Sequence, residues 1–309
     1  MILSVSRRTD IPAFYSEWFY NRITDGYVYV RNPMNIHQVS KIQLSPDVID
    51  CIVFWSKNPR PMLRRLDELK DYLYYFQFTI NPYDIGLEVN VPTKNNIIDT
   101  FKDLSSKIGP DRVIWRYDPI IITDKVTIEY HIKYFEEIAR RLSGYTKTCV
   151  ISFLDLYKKT ERNLQNTYAR ELSQNEMLTI ATALVSIATQ YGITIQSCAE
   201  KIELDSIGIK HGHCIDNVLI EDLLGVKLVV SKDKNQRPEC GCVQSIDIGE
   251  YNTCSHNCKY CYANFNGQTV RDKVKRHNPN SPLLIGNLLP SDKVSERKIF
   301  SFIRKGELF

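Results

Sequence analysis

The sequence predicts an α/β protein: a TIM-like (β/α) barrel, complete or partial, followed by a cysteine-rich C-terminal extension. Three observations predict it. Short apolar runs alternate with helix-patterned segments as far as about residue 230, which argues for parallel strands with covering helices. Polar residues recur where those runs end, as in barrels whose sites are built from many strand ends, whereas a doubly wound sheet gathers them at one switch point. Beyond residues 231–238, a charged turn-forming stretch, periodicity stops and Gly, Asn, Pro and Cys accumulate. The expected division is residues 1–230 for the barrel and 236–309 for an extension folding over its mouth.

The strand candidates are residues 2–6, 27–31, 51–55, 74–80, 112–117, 148–153 and 193–197, most of them rich in Val, Ile, Phe, Tyr and Trp. Helical spacing links Ile128, Ile132, Phe135, Ile138 and Leu142, and again Met177, Ile180, Leu184, Ile187 and Tyr191. Ser173 followed by Glu176 makes a capping box for the second of these helices, and Gly192 ends it. Residues 295–305 offer a final helix.

Composition sets the class. At 309 residues, 43% hydrophobic and 25% charged, the chain matches a soluble globular protein. A net charge of +4, from 40 basic and 36 acidic residues, is mild and mixed along the chain. A nucleic-acid partner is therefore permitted but not indicated. The N-terminus lacks the apolar core of a signal peptide, and no stretch approaches the roughly 18 apolar residues of a membrane span. A cytoplasmic protein without a membrane partner is expected. Nine cysteines in such a chain point to metal or catalysis rather than disulfides.

Cys254-Ser-His-Asn-Cys258-Lys-Tyr-Cys261 is a C-x3-C-x2-C triplet. Three thiolates on so short a loop suit three irons of a [4Fe–4S] cubane and leave the fourth iron open. A structural zinc site would instead close four ligands, with Cys240 or His256 as the fourth. Cys198, Cys214, Cys240 and Cys242 are candidates for a second metal centre, an auxiliary iron–sulfur cluster or zinc, which His211 and His213 could join; the other reading is packed thiols. Cys51 and Cys149 sit in apolar runs as core residues.

At the strand ends, Arg7 or Arg8 can clamp a carboxylate or phosphate, or else pair with Asp10. Lys57, Asn81, Arg116, Asp118, Asp155 and Glu200 would line a polar pocket at one end of a barrel.

The string Cys254-Ser-His-Asn-Cys258-Lys-Tyr-Cys261-Tyr-Ala263 resembles the radical S-adenosylmethionine (SAM) signature and is particularly similar to the spore photoproduct lyase group. The whole chain resembles the bacterial domain-of-unknown-function family 1848, from Ser6-Arg-Arg-Thr-Asp-Ile-Pro12 through Phe54-Trp-Ser-Lys-Asn-Pro59, Arg116-Tyr-Asp-Pro119, Cys198-Ala-Glu200 and Cys240-Gly-Cys242 to Tyr262-Ala-Asn264. The resemblance implies that SAM binds the open iron through its amino and carboxylate groups. It is then cleaved by one electron to methionine and a 5′-deoxyadenosyl radical, with the cofactor carrying the chemistry. It also implies an electron donor such as a flavodoxin or ferredoxin, and a small-molecule or nucleic-acid-base substrate. Tyr260, Tyr262, Asn81 and Asn264 are then cofactor contacts, and Arg7, Asp10, Lys57, Arg116, Asp118, Asp155 and Glu200 catalytic candidates. Members of the radical SAM family carry the triplet after the first barrel strand, with a Gly-Gly-Glu-like SAM contact after the second. Here the triplet follows the barrel and Gly-Gly-Glu is absent. The alternatives are a SAM-independent iron–sulfur lyase or dehydratase, and a non-enzymatic redox sensor.

Overall fold

The computed structural model describes residues 1–156 and 158–303. Its strands are β1 (Ile2–Val5), β2 (Tyr27–Asn32), β3 (Asn35–Gln43), β4 (Cys51–Ser56), β5 (Tyr74–Thr79), β6 (Val113–Ile120), β7 (Thr148–Phe153), β8 (Thr194–Ser197), β9 (Lys210–His211), β10 (Ile246–Asp247) and β11 (Lys293–Glu296). The α-helices are α1 (Ile11–Phe14), α2 (Ser16–Asp25), α3 (Lys94–Ile108), α4 (Ile128–Leu142), α5 (Lys158–Leu164), α6 (Gln174–Gln190), α7 (Asn217–Leu224) and α8 (Gly267–Val274).

Eight strands form one parallel sheet in the order β10-β1-β4-β5-β6-β7-β8-β9. β9 and β10 are its margins, and among the described residues no ladder joins them. The fold is therefore a large parallel α/β sheet flanked by helices, and its described residues show no hydrogen-bonded barrel closure. A second sheet of three strands, β11-β3-β2, takes up the run at residues 27–31, which is not part of the main sheet.

Side chains alternate between two buried faces, which is why the strand sequences read as nearly continuous apolar runs. Phe54, Phe76, Trp115 and Ile151 pack beneath the helices with Phe101, Phe135 and Leu184. Phe54 and Phe76 stack at 4.6 Å between ring centroids, and truncating either to Ala would cost about 3–5 kcal/mol. The opposite face carries Ile2, Val53, Tyr75, Ile114 and Val150 against Cys214, Cys240 and Cys242.

The helix capped by Ser173 forms as its sequence requires. The Ser173 N–H donates to Glu176 Oε2 at 2.9 Å and the Glu176 N–H to Ser173 Oγ at 3.4 Å. Gly192 follows the last turn in the left-handed region, at φ +70°.

The chain after residue 236 joins the main sheet through β10, which pairs Leu3 with Ile246 and Ser4 with Asp247. Residues 293–296 form β11 beside β3, and the described part of 295–305 contains no helix; residues 304 and 305 lie outside the described residues. The apolar spacing there comes from Ile299 and Phe302 packing on the main core. No described helix is long and apolar enough to cross a membrane.

Candidate metal centre and its polar surroundings

β10 is short but firmly held. The Asp247 carboxylate accepts hydrogen bonds from Ser4 Oγ and Ser6 Oγ, both at 2.6 Å, and from the Arg7 and Gly249 N–H groups at 2.8 and 2.9 Å. A Cβ at Gly249 would lie 2.0 Å from Ser6 Oγ, so only glycine lets the chain leave β10 this close to β1. Tyr15 then donates from its hydroxyl to the buried Thr253 carbonyl at 2.6 Å. Asn257, in the left-handed region at φ +52°, turns the backbone inside the triplet.

Asp10 ties the triplet loop to two strand ends. Its Oδ1 accepts from the Ala13 N–H at 2.9 Å, capping α1, and from Ser56 Oγ at 2.8 Å. Its Oδ2 accepts from the Lys57 N–H at 2.7 Å and lies 2.9 Å from His256 Nε2. His256 thus hydrogen-bonds through one nitrogen inside the loop. The alternative pairing of Asp10 with an arginine does not form: Arg7 pairs with Asp233 at 3.6 Å and Arg8 with Asp247 at 3.9 Å.

Cys258 is buried, and Cys254 and Cys261 are half-buried. The three are close enough for a thiolate at one to disfavour ionisation at another. Burial pushes the Cys258 thiol up to about 12 in spite of the nearby Lys57 ammonium. Burial likewise raises Cys254, helped by Asp10, and raises Cys261. Ligation of a metal would therefore release protons.

Beside Cys258 lies a buried polar knot. Glu88, paired with Cys258 across a backbone bridge, accepts from Lys57 Nζ at 2.8 Å, from Lys94 Nζ and from the Tyr260 hydroxyl. Burial works against the Glu88 carboxylate, but Lys57 and Lys94 outweigh it and pull its pKa down to about 2. Asn81 Nδ2 donates to the Tyr260 hydroxyl at 3.1 Å and to the Asp118 carbonyl at 2.8 Å. Asn264 Nδ2 donates to the Cys254 carbonyl at 2.8 Å, and the Tyr262 hydroxyl to the Arg7 carbonyl at 2.6 Å, with the Tyr262 ring exposed.

Arg116 lies between Asp118 and Cys214. Its Nε lies 3.1 Å from both Asp118 carboxylate oxygens, and its Nη1 lies 2.8 Å from Cys214 Sγ and 3.1 Å from Gln77 Oε1. Glu200 accepts from the Phe153 N–H at 2.8 Å; burial, then the Asp155 charge, raises its pKa to about 7. Asp155 is exposed and pairs with Arg237. Cys51 and Cys149 are buried, as expected of core residues.

Among the described residues, the buried side-chain N and O atoms without a hydrogen-bond partner are Thr9 Oγ1, Asn81 Oδ1, His256 Nδ1, Asn264 Oδ1 and Arg22 Nε. The first four belong to residues in or next to the strand ends and loop just described. Buried polar atoms are almost always satisfied, so these four are where ordered water or a polar ligand would complete the hydrogen bonding. No three His, Cys, Asp or Glu side chains among the described residues are spread as ligands of one ion. A cubane asks less of the triplet, because each thiolate ligates a different iron. Soft thiolates, burial and these open polar atoms fit a [4Fe–4S] cluster with a polar co-ligand.

Sequence reasoning missed Glu88, Lys94, Gln77, Ser6, Thr9 and Asp247 as individual site residues. Glu88 and Asp247 lie outside every strand candidate. Ser6 and Thr9 were visible only as part of the strand-end string.

The family model described as "Domain of unknown function (DUF1848)" matches residues 2–263, a span that reaches from β1 through the triplet. No curated protein matches. A solved structure described as a putative alpha-L-fucosidase from Bacteroides thetaiotaomicron VPI-5482 is similar at 14% identity, over 74% of this chain and 81% of that one, with a TM-score of 0.28. A likeness that distant carries no argument about activity. With its family model matched from the first strand to Ala263, this chain belongs to the DUF1848 family.

Proposed function

We propose that this protein is a radical SAM-type enzyme, holding a [4Fe–4S] cluster through Cys254, Cys258 and Cys261. One observation carries the reading. The triplet comes late in the sequence but directly follows β10, the margin of the sheet beside β1. In spatial order it therefore stands after the first strand of a parallel sheet, where the radical SAM resemblance requires it. Ser6–Asp10, after β1, then occupies the second position, in place of Gly-Gly-Glu.

When bound, the cluster supplies one-electron cleavage of SAM to methionine and a hydrogen-abstracting 5′-deoxyadenosyl radical. The chain's own residues bind and orient. The three cysteines are the ligands, and Asp10 with His256 fixes the loop that presents them. Asn81 Oδ1 and Asn264 Oδ1 are open acceptors suited to an ammonium group, and Thr9 Oγ1 is a further polar contact. The Lys57–Glu88–Lys94–Tyr260 knot closes the Cys258 side against water. The electron would come from a flavodoxin- or ferredoxin-like donor; the substrate, a small molecule or a nucleic-acid base, is left open.

The test is anaerobic reconstitution with iron and sulfide, then addition of SAM and a strong reductant. The expected product is 5′-deoxyadenosine, abolished in Cys258→Ala. A fully loaded cluster that leaves SAM intact, with an EPR spectrum unchanged by SAM, overturns the proposal in favour of an iron–sulfur lyase or a redox sensor.

A further inference from the structure

A second set of thiols meets on the face of the main sheet opposite its helix-covered core. Cys198 follows β8, Cys214 follows β9, and Cys240 and Cys242 lie in the segment leading into β10. The Sγ atoms of Cys198 and Cys214 are 3.1 Å apart. Cys214, Cys240 and Cys242 pack in one buried cluster with Cys198 against it. Four thiols from three separate stretches of sequence are thus gathered at one place.

The backbone around them is pinned. Tyr75 Oη and Gln77 Nε2 donate to the Cys214 carbonyl at 2.7 and 3.1 Å. The Asp233 N–H donates to the Cys242 carbonyl at 2.9 Å, the Val243 N–H to the Ile215 carbonyl at 3.2 Å, and the Cys240 N–H to the Arg237 carbonyl at 3.0 Å. Gly241 is required by its surroundings: a Cβ there would lie 2.2 Å from His213 Cδ2, so only glycine lets Cys240 and Cys242 flank that ring.

We infer that Cys198, Cys214, Cys240 and Cys242 form a binding site for one tetrahedral zinc ion, separate from the cluster site. Four thiols make the closed ligand set of a structural zinc centre. The spacing favours a single ion over a second cubane. At a zinc–sulfur distance of about 2.3 Å, the edges of a sulfur tetrahedron are about 3.8 Å. The Cys198–Cys214 pair then opens by well under 1 Å, whereas a cubane, with each thiolate on its own iron, needs the sulfurs spread further. In this structure the Cys198 and Cys214 thiols touch, so ligation requires that pair to turn apart.

The surroundings suit the charge. Four thiolates around a divalent ion carry a net charge of −2, and the buried Arg116 guanidinium already points Nη1 at Cys214 Sγ from 2.8 Å. The Ile215 N–H donates to Cys242 Sγ at 3.4 Å, the kind of outer contact that orients a thiolate ligand. The ion would tie the β8–β9 margin to the segment entering β10, joining the two edges of the sheet where no ladder does.

The experiment measures zinc and iron separately in the anaerobically purified full-length protein. One zinc per chain is expected. It should persist in the Cys254→Ala/Cys258→Ala/Cys261→Ala variant and fall at least tenfold in Cys214→Ser/Cys242→Ser. Because the serine variant can fail to fold, the wild-type protein is also stripped of zinc and loaded with cobalt(II), which should show intense thiolate-to-cobalt charge transfer and tetrahedral ligand-field bands. Cobalt without those bands, a Cys198–Cys214 disulfide in anaerobic material, or about eight irons per chain in place of zinc overturns the inference. Zinc absent with iron retained sinks this site alone; iron absent with zinc retained sinks only the cluster.

Discussion

Replacing Glu88 by Gln removes the one carboxylate shared by Lys57, Lys94 and Tyr260 while keeping its shape. The magnitude follows from its ionisation. A carboxyl whose pKa falls from 4.5 to about 2 on folding stabilises the folded state by about 3 kcal/mol at neutral pH. A folded pKa below the unfolded one means that this contribution is present above pH 4.5 and is lost as pH falls through 2. Glu88→Gln should therefore lose about 3 kcal/mol at pH 7, in keeping with the loss on breaking a buried ion pair, and about half of that at pH 3. Urea unfolding of the reduced, metal-free protein at both pH values reads the difference. A loss below about 1 kcal/mol, or one equal at pH 3 and pH 7, refutes the account of Glu88 as an anion held by two lysines.

Three further outcomes can be measured. Asp10→Ala strips four polar contacts from its neighbours; it should lower unfolding free energy by about 3 kcal/mol in a urea titration, and iron content should fall with it. Glu200→Gln should be more stable than the parent by up to about 3 kcal/mol at pH 8. The reason is that a carboxyl raised to about 7 favours folding below pH 4.5 and loses that advantage as pH rises through 7, so the two melting curves should converge by pH 4. Gly249→Ala forces a methyl against Ser6 Oγ; it should cost about 1–3 kcal/mol by thermal denaturation and reduce cluster loading, because the triplet leaves the sheet through that residue.

The buried strands of the main sheet were legible because both of their faces are covered, so that a run such as Cys51–Ser56 is apolar almost throughout. β3 was not, because its first four residues, Ile36 among them, are exposed and carry no burial pattern. β9 and β10 have two residues each, too short for any period to register. Their places in the sheet are set by partners far away in sequence, as when Asp247 gathers Ser4 and Ser6. The candidate cluster ligands were read directly, since C-x3-C-x2-C is a local pattern. Glu88 was invisible for the opposite reason: its partners Lys57 and Lys94 lie 31 and 6 residues off, and nothing in its own neighbourhood announces a buried anion. Asp155 satisfied the strand-end rule yet faces solvent with Arg237, because that rule locates a backbone position and not the direction of a side chain.

The pairing of β10 with β1 also sets a timetable. A ribosome delivers Leu3 and Val5 more than two hundred residues before Ile246, and until then the first strand has an unpaired flank on that side. The hydrogen bonds that seat this segment on β1 must wait until Asp247 has been made. Under the proposed function, iron delivered before β10 has been made would meet no assembled cradle.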